Sequence, residues 1–435
     1  MRAHHASALA LALIATVSIA RPAFAGAPLI DWPHFRFNEH HTGVNPNETA
    51  LSKKTIIFAG LQWEDQLGDI VDFSSPAVVD GIAYIGTTDG TLWAYDANGC
   101  GVDICTTPLW QSTNLAQILD SPAVANGVVY VGSQTDFDDA SGKLNAFAAA
   151  GCGNAVCAPL WQGVAGSQSI LESSPTVADG VVYVGAFDGK LYAFNADGCG
   201  QALCKPLWAG TTGGSIESTP LVYKGMVFVG SDDGNLYAFK ARGCGHKSCK
   251  AKWSGPLGGS PFESSPAVDG GKIFIAQQHA LAAFDANGCG ANVCQPLWQA
   301  IDNLNFFNGS PAVWKGRVFI PLESGIAIYD EDGCGNPTCS EAASLFGSGS
   351  QADILSAPTI ANGVIYAARN TGELLAWNAN CKQNQCLEIW KSQITNVNPI
   401  MSSSPTVVNG RIYVGGARNV EEDISGRIFV FQLQE

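Results

Sequence analysis

Three glutamates and an asparagine fall at one position of a unit that repeats along the chain. A small residue precedes a proline eight times, at Ser75-Pro76, Ser121-Pro122, Ser174-Pro175, Thr219-Pro220, Ser265-Pro266, Ser310-Pro311, Ala357-Pro358 and Ser404-Pro405. Three residues before those prolines stand Phe73, Leu119, Glu172, Glu217, Glu263, Asn308, Leu355 and Ser402. Asp72 and Asp120 lie close to the same level on the first two units. Three carboxylates and an amide on adjacent units are the hard oxygen donors that Ca²⁺ takes. They suit equally a cationic group of a ligand or partner. The plainer alternative is a solvated acidic rim, because duplication copies a residue without each copy acting.

The fourteen cysteines are the second set. They form seven Cys-x4-Cys pairs: Cys100 and Cys105, Cys152 and Cys157, Cys199 and Cys204, Cys244 and Cys249, Cys289 and Cys294, Cys334 and Cys339, and Cys381 and Cys386. In an exported chain such pairs read as disulfides, and each pair is expected to close locally. A bridge over so short a loop removes only about 2 kcal/mol of unfolded-chain entropy. Zinc held by two pairs would need outer loops of different units to converge within ligand distance, and redox chemistry favours Cys-x2-Cys, which is absent.

His34, His40 and His41 lie in an aromatic stretch before the first unit, Asp31 to Asn45. Either the stretch is a strap packed on the fold or the histidines hold a metal or ligand. The chain has no nucleophile elbow, phosphate loop, zinc-protease motif or haem-attachment motif.

The elements that must position these residues follow from the repeat. Successive prolines are 46, 53, 45, 46, 45, 47 and 47 residues apart, a period that signals a propeller or solenoid. The long step carries an insertion, Gln134 to Ser141. The unit from Ser174 to Trp208 reads as four short strands: one after Pro175, one at Val181, a third at Leu191 after an Asp188-Gly189 turn, and a fourth at Leu207-Trp208 beyond the cysteine loop. No window carries a helical apolar period. Four strands per period, closed radially, make a β-propeller. Trp63, Trp110, Trp161, Trp208, Trp253, Trp298 and Trp390 recur once per unit, as core between blades does, with Phe346 expected where the series skips.

The last unit ends after its third strand, and Ile56 to Trp63 reads as an orphan fourth strand before the first. The expected product is all-β: one eight-bladed disc of four-stranded blades, the last completed by the N-terminal strand, which removes an exposed sheet edge. Residues 1–25 read as a signal peptide, with Arg2, an apolar run Ala8 to Ala20 and the small-x-small site Ala23-Phe24-Ala25. Residues 26–54 read as the strap and 55–435 as the propeller. Losing the signal's two arginines takes the formal charge from −15 to −17. The acidic balance argues against nucleic acid, which calls for a basic face, and no basic cluster is expected anywhere. An exported monomer without a membrane span is expected, periplasmic or extracellular.

Units such as Gly180-Val-Val-Tyr-Val-Gly-Ala-Phe-Asp-Gly-Lys-Leu-Tyr-Ala-Phe-Asn-Ala-Asp-Gly198, followed by Trp208, resemble the pyrroloquinoline-quinone (PQQ)-like propeller repeat over about residues 55 to 433. The resemblance implies the fold. The repeat serves quinoprotein alcohol dehydrogenases and also non-enzymatic scaffolds similar to the propeller lipoprotein of the outer-membrane assembly machinery. Such dehydrogenases carry a vicinal Cys-Cys pair, a catalytic Asp and a Ca²⁺ site of Glu and Asn. No Cys-Cys is present, and the catalytic motifs do not map. The Thr-Gly of their tryptophan-docking repeat is replaced by Asn-Gly-Cys or Asp-Gly-Cys. A lipobox cysteine is also missing.

Two functions follow. The first is a secreted, disulfide-stapled binding or scaffold module for a protein, polymer or small-molecule ligand. The second is a PQQ- and Ca²⁺-dependent dehydrogenase of an alcohol or sugar, with Glu172, Glu217, Glu263 and Asn308 on the metal and an acid such as Asp120 as base. A glycan-binding, lectin-like propeller is a third reading.

Overall fold

The computed structural model describes residues 29–134, 142–166, 170, 172–261, 264–302, 305–307, 309–323, 325–347, 354, 356–382, 385–393, 403–420 and 423–434. The signal-peptide reading, most of the insertion, Glu263 and Asn308 lie outside these residues. Among the described residues there is no α-helix, and one 3-10 turn, Ile56–Phe58. Eight sheets make eight blades. Blade 3 is typical: strands Thr176–Ala178, Val181–Ala186, Lys190–Asn195 and Trp208–Thr211 run antiparallel from the inside outwards. Its middle strands are buried at nearly every position, not at alternate ones. Neighbouring blades cover both faces of each sheet, so both sets of side chains are apolar.

Blade 8 combines the two ends of the sequence. Its strands are Thr406–Val408, Arg411–Val420, Asp423–Leu433 and, in fourth place, Ala59–Gln66. The fourth strand therefore starts later than the sequence suggests, because the 3-10 turn takes residues 56–58. The same strand buries Glu64, which pairs with Arg418.

All seven expected disulfides are present, each within its own loop. Cys100 is bridged to Cys105, Cys152 to Cys157, Cys199 to Cys204, Cys244 to Cys249, Cys289 to Cys294, Cys334 to Cys339 and Cys381 to Cys386. The loops also do something the spacing does not suggest. Residues around the second cysteine form a short parallel strand on the outer edge of the preceding blade. Val156–Cys157 pairs with Gln111–Ser112 of blade 1, Leu203–Cys204 with Gln162–Gly163 of blade 2, and Ser248–Cys249 with Ala209–Gly210 of blade 3. Thr338–Cys339 pairs with Gln299–Ala300 of blade 5, and Cys386 with Leu345 of blade 6. Ile104–Cys105 does the same to Glu64–Asp65 of blade 8. On blade 4 the contact is reduced to one bridge, Ser254 to Val293, with Cys294 N–H donating to Ser254 O at 2.8 Å. Most blades thus have five strands, where four are expected from the repeat.

The glycine before the first cysteine is required by this contact. Gly198 has φ +75, and a Cβ there would stand 2.7 Å from Cδ1 of Trp161 in the preceding blade. The tryptophans are core as expected, with one correction. The unit lacking Trp uses Ala343, opposite Ile328, where other blades pair Trp with Ala; Phe346 lies three residues on, opposite Gly325.

The first residue of each cysteine loop donates to the glycine of the first hairpin turn, as Ala196 N–H does to Gly180 at 3.0 Å. Loops and turns therefore share one face, the cysteine face. The connections leading to the prolines lie on the opposite, proline face.

Three layers line the channel along each innermost strand. Nearest the proline face is the level of Glu172 and Glu217. Next is a ring of hydroxyls. The N–H of Ser75 donates to Oγ of Ser121, Ser121 to Ser174, Ser174 to Thr219, Thr219 to Ser265 and Ser265 to Ser310, then Ala357 to Ser404 and Ser404 back to Ser75, at 2.9–3.3 Å. Ala357 has no hydroxyl for the Ser310 N–H, which leaves one gap among the described residues. The residue before each hydroxyl binds within its own blade: Ser173 Oγ accepts from Gly185 N–H at 2.8 Å, and Ser74, Ser218, Ser264, Ser356 and Ser403 act alike. Asp120 takes this place in blade 2.

The third layer is the N-terminal segment, which circles the channel. N–H groups of Val78, Val124, Val177, Val222, Val268, Val313 and Ile360 donate in turn to Trp32 O, Pro33 O, His34 Nε2, Glu39 O, His40 O, Thr42 O and Gly43 O. Asn45 Nδ2 then donates to Val407 O of blade 8. Every blade is met in order. His41 is fully buried, with Nδ1 on Pro266 O and Nε2 on Thr176 Oγ1. His40 instead stacks edge-on to Tyr223. His34 and His41 both bond blade 3, His41 also bonds blade 5, and His40 packs on blade 4; among the described residues no group of three metal-ligating side chains converges.

Burial lowers His34 to about 4 and His41 to about 3. The unfolded chain takes up these protons near the ordinary histidine value of about 6.5, so folding is favoured fully above it and less as pH falls towards 4 and 3. At about pH 4.5 each ring costs about 2–3 kcal/mol. Urea midpoints at neutral pH and pH 4.5 check this: His34→Gln should lose about 2 kcal/mol less on acidification than the wild type, and equal losses would refute it.

The repeat's own departures give a second expectation. Burial holds the Asp120 carboxyl well above the usual carboxylate range, and Oδ1 has no hydrogen-bond partner. Its stabilising form is the protonated one, which is lost as pH rises. Asp120→Ser should stabilise the neutral-pH fold by about 1–2 kcal/mol, and Ala357→Ser by about 0.5–1.5 kcal/mol through the missing ring bond. Both are read by urea unfolding.

Candidate functional site

The hydroxyl ring forms the wall of a small open cavity in the channel. Phe35 from the N-terminal segment enters it on the cysteine side, and Phe73, Glu172 and Glu217 also line it. Phe35 is set there by its neighbours. His34 is tied to blade 3, and the buried Arg36 reaches blade 6, where Nη2 donates to Pro311 O at 2.7 Å. Arg36 and Phe37 both have left-handed backbones, φ 60 and 84, which turn the segment across the channel. The mouth on the cysteine face is thereby spanned, and the cavity lies on the proline side of Phe35.

Glu172 and Glu217, from blades 3 and 4, are brought together in this lining as the repeat position implies. Glu172 has φ +58, outside the hairpin turns where most other non-glycine residues of that kind sit. An L-residue there costs about 1–2 kcal/mol. Asp72 and Asp120 are not in the lining. Asp72 is half-buried, and burial raises its carboxyl. Asp120 is 2% exposed, and its Oδ2 accepts from Gly132 N–H at 2.6 Å. It occupies a serine's place inside the blade, which does not suit a base at the mouth. What the sequence reading misses here is the hydroxyl ring and Phe35. The ring has a signal: Ser or Thr precedes seven of the eight repeat prolines.

Among the described residues the lining contains carboxylates, hydroxyls and two phenyl rings, and no Lys, Arg or His. It can hold a cation through oxygen donors. No helix among the described residues is long and apolar enough to cross a membrane.

Comparison with known proteins agrees with this architecture. A family model described as outer membrane protein assembly factor BamB matches residues 158–332. No curated protein matches the sequence. Among solved structures, a quinohemoprotein alcohol dehydrogenase from Comamonas testosteroni is similar, with TM-score 0.67 at 14% identity over 93% of this chain and 80% of the other. BamB from Moraxella catarrhalis gives 0.60 at 14% identity over 86% and 99%. A europium-containing methanol dehydrogenase gives 0.62 at 11% over 93% and 98%. At such identities the likeness shows the fold. With the blade topology, it shows the chain to be an eight-bladed β-propeller whose residues 158–332 match the BamB family model, with Cys-x4-Cys loops on seven of its blades.

Proposed function

We propose that the protein is an exported binding module that takes a cationic group at the acidic, proline-face mouth of its channel. The composition of the cavity lining carries this reading. Glu172 and Glu217 on adjacent blades, above a ring of hydroxyls, offer only oxygen donors and negative charge. Carboxylates and hydroxyls of this kind suit Ca²⁺ or an organic cation. PQQ fits poorly: it is a flat tricarboxylate, and an anion placed against two glutamates needs cationic partners that this lining lacks. The disulfides and the family match support a periplasmic or extracellular setting, where such bridges persist.

The dehydrogenase reading draws on the two similar dehydrogenase structures. BamB, of the same fold, is as similar in sequence, and fold alone does not choose between activities.

The two readings separate in one titration series on the oxidised protein, following melting temperature and heat of binding with spermine, with Ca²⁺, and with PQQ plus Ca²⁺. Spermine or Ca²⁺ should bind saturably, and Glu172→Gln with Glu217→Gln should weaken binding at least about tenfold, or about 1.4 kcal/mol. PQQ should leave both readouts unchanged. Saturable, Ca²⁺-dependent PQQ binding that is lost in Glu217→Gln would establish the dehydrogenase site instead.

A further inference from the structure

Blade 4 departs from the repeat in charge. Seven of the chain's 23 lysines and arginines fall between residues 205 and 252: Lys205, Lys224, Lys240, Arg242, Lys247, Lys250 and Lys252. All are exposed, as is His246. Contrary to the expectation that the chain has no basic cluster, five of them and His246 fall within the thirteen residues 240–252, and only Lys205 and Lys224 are remote in sequence. The fold gathers them on the cysteine face. Lys240 to Lys252 belong to the blade 4 loop, Lys205 to the blade 3 loop, and Lys224 to the hairpin turn that accepts from Ala241 N–H at 2.9 Å. The acids of the same stretch are elsewhere. Glu217 lines the channel, and Asp232 and Asp233 lie in the turn at the proline face, where Ser260 and Tyr237 hydroxyls bind them. None of the seven cations has a carboxylate within 4.0 Å among the described residues. Lys247 Nζ rests on the carbonyls of Pro206 and Leu207 instead, at 3.3 and 3.4 Å. Nearby negative charge comes from Asp179 of the blade 3 hairpin turn, which acts with Arg242 on the Tyr183 hydroxyl.

The charges border a groove. Between blades 3 and 4 lies an open cleft, with Arg242, His246 and Lys247 on one side and Val181, Leu207 and Trp208 on the other. Leu203 and Leu207 are 57% and 45% exposed. We infer that this groove is a docking site for an extended acidic segment of a partner protein, its carboxylates on the blade 4 cations and an aliphatic side chain on Leu207. Charge complementarity selects the partner: an acidic protein with one local cationic surface attracts an anion there and repels it elsewhere. An anionic membrane is a worse match. A flat negative surface over this face would also meet Asp330, Asp332 and Glu341 of the blade 6 loop, all exposed. A second copy of the chain is also a worse match, since the acids of that loop are partly committed: Lys272 holds Asp332 at 2.7 Å and Glu331 at 3.3 Å.

The inference is independent of the cation site, which lies on the opposite face. Its test is fluorescence anisotropy of the full oxidised protein with a labelled synthetic peptide of alternating Glu, Asp and Leu. Saturable binding is expected, weakened about tenfold or more by Arg242→Glu with Lys247→Glu and by raised salt. Lys315→Glu, an exposed charge on blade 6, and Glu217→Gln should leave it unchanged, and all variants should keep the wild-type melting temperature. Absence of saturation, or equal weakening by Lys315→Glu, overturns the proposal. So does binding of anionic phosphatidylserine vesicles without peptide binding, or self-association by light scattering that the double variant abolishes.

Discussion

A closed ring of sheets has two families of strand edges to satisfy, one facing the channel and one facing outwards. Unpaired edges cost hydrogen bonds and invite aggregation. The inner edges are met by one segment that runs past all eight blades, giving a carbonyl or ring nitrogen to seven N–H groups and taking the eighth blade's carbonyl. The outer edges are met by the cysteine loops, most of which lend a two- or three-residue strand to the blade before them. Neither device belongs to a single blade, so the blades are bound to one another and to the N-terminal segment as well as by apolar packing.

This gives the disulfides a role beyond loop entropy. Each bridge joins cysteines five positions apart, a span whose entropic benefit is small. Closing it fixes the loop so that the second cysteine sits as an edge strand and the preceding glycine sits on the tryptophan next door. Reduction would therefore loosen joints between blades more than any blade itself. The Trp, the Gly-Cys and the second Cys form one joint made by two successive repeats, which explains why all three recur together.

Fold class, blade count and cysteine pairing were legible because they depend on period and spacing, which the chain shows directly. The N-terminal segment's path was not. His34, Phe35 and Arg36 are adjacent in sequence yet serve blade 3, the channel and blade 6, because left-handed residues turn the chain there. Blade 4's cations were partly legible, since five fall within residues 240–252; what the sequence hid is that Lys205 and Lys224 join them through a neighbouring loop and a hairpin turn on the same face, and that the acids of the stretch point elsewhere. Glu172 and Glu217 were legible as a pair because a repeat position fixes height on the channel. Asp120 misled because one position along the strand separates the channel lining from the interior of the blade.

Departures from a repeat carry different meanings according to whether they are compensated. In blade 6 the serine that binds the second strand is replaced by Gly309, and the residue it would have bound is Pro321, which has no N–H to offer. Two changes cancel, and the site stays satisfied. The charges of blade 4 have no such counterpart: seven exposed cations gather there, and no carboxylate among the described residues moves to meet them. Glu172 departs in backbone rather than in pairing: its side chain is held on a left-handed backbone that a glycine would adopt at less cost. Compensated departures are the fold correcting itself; the exposed cations of blade 4, which no carboxylate among the described residues meets within 4.0 Å, point to what lies outside it.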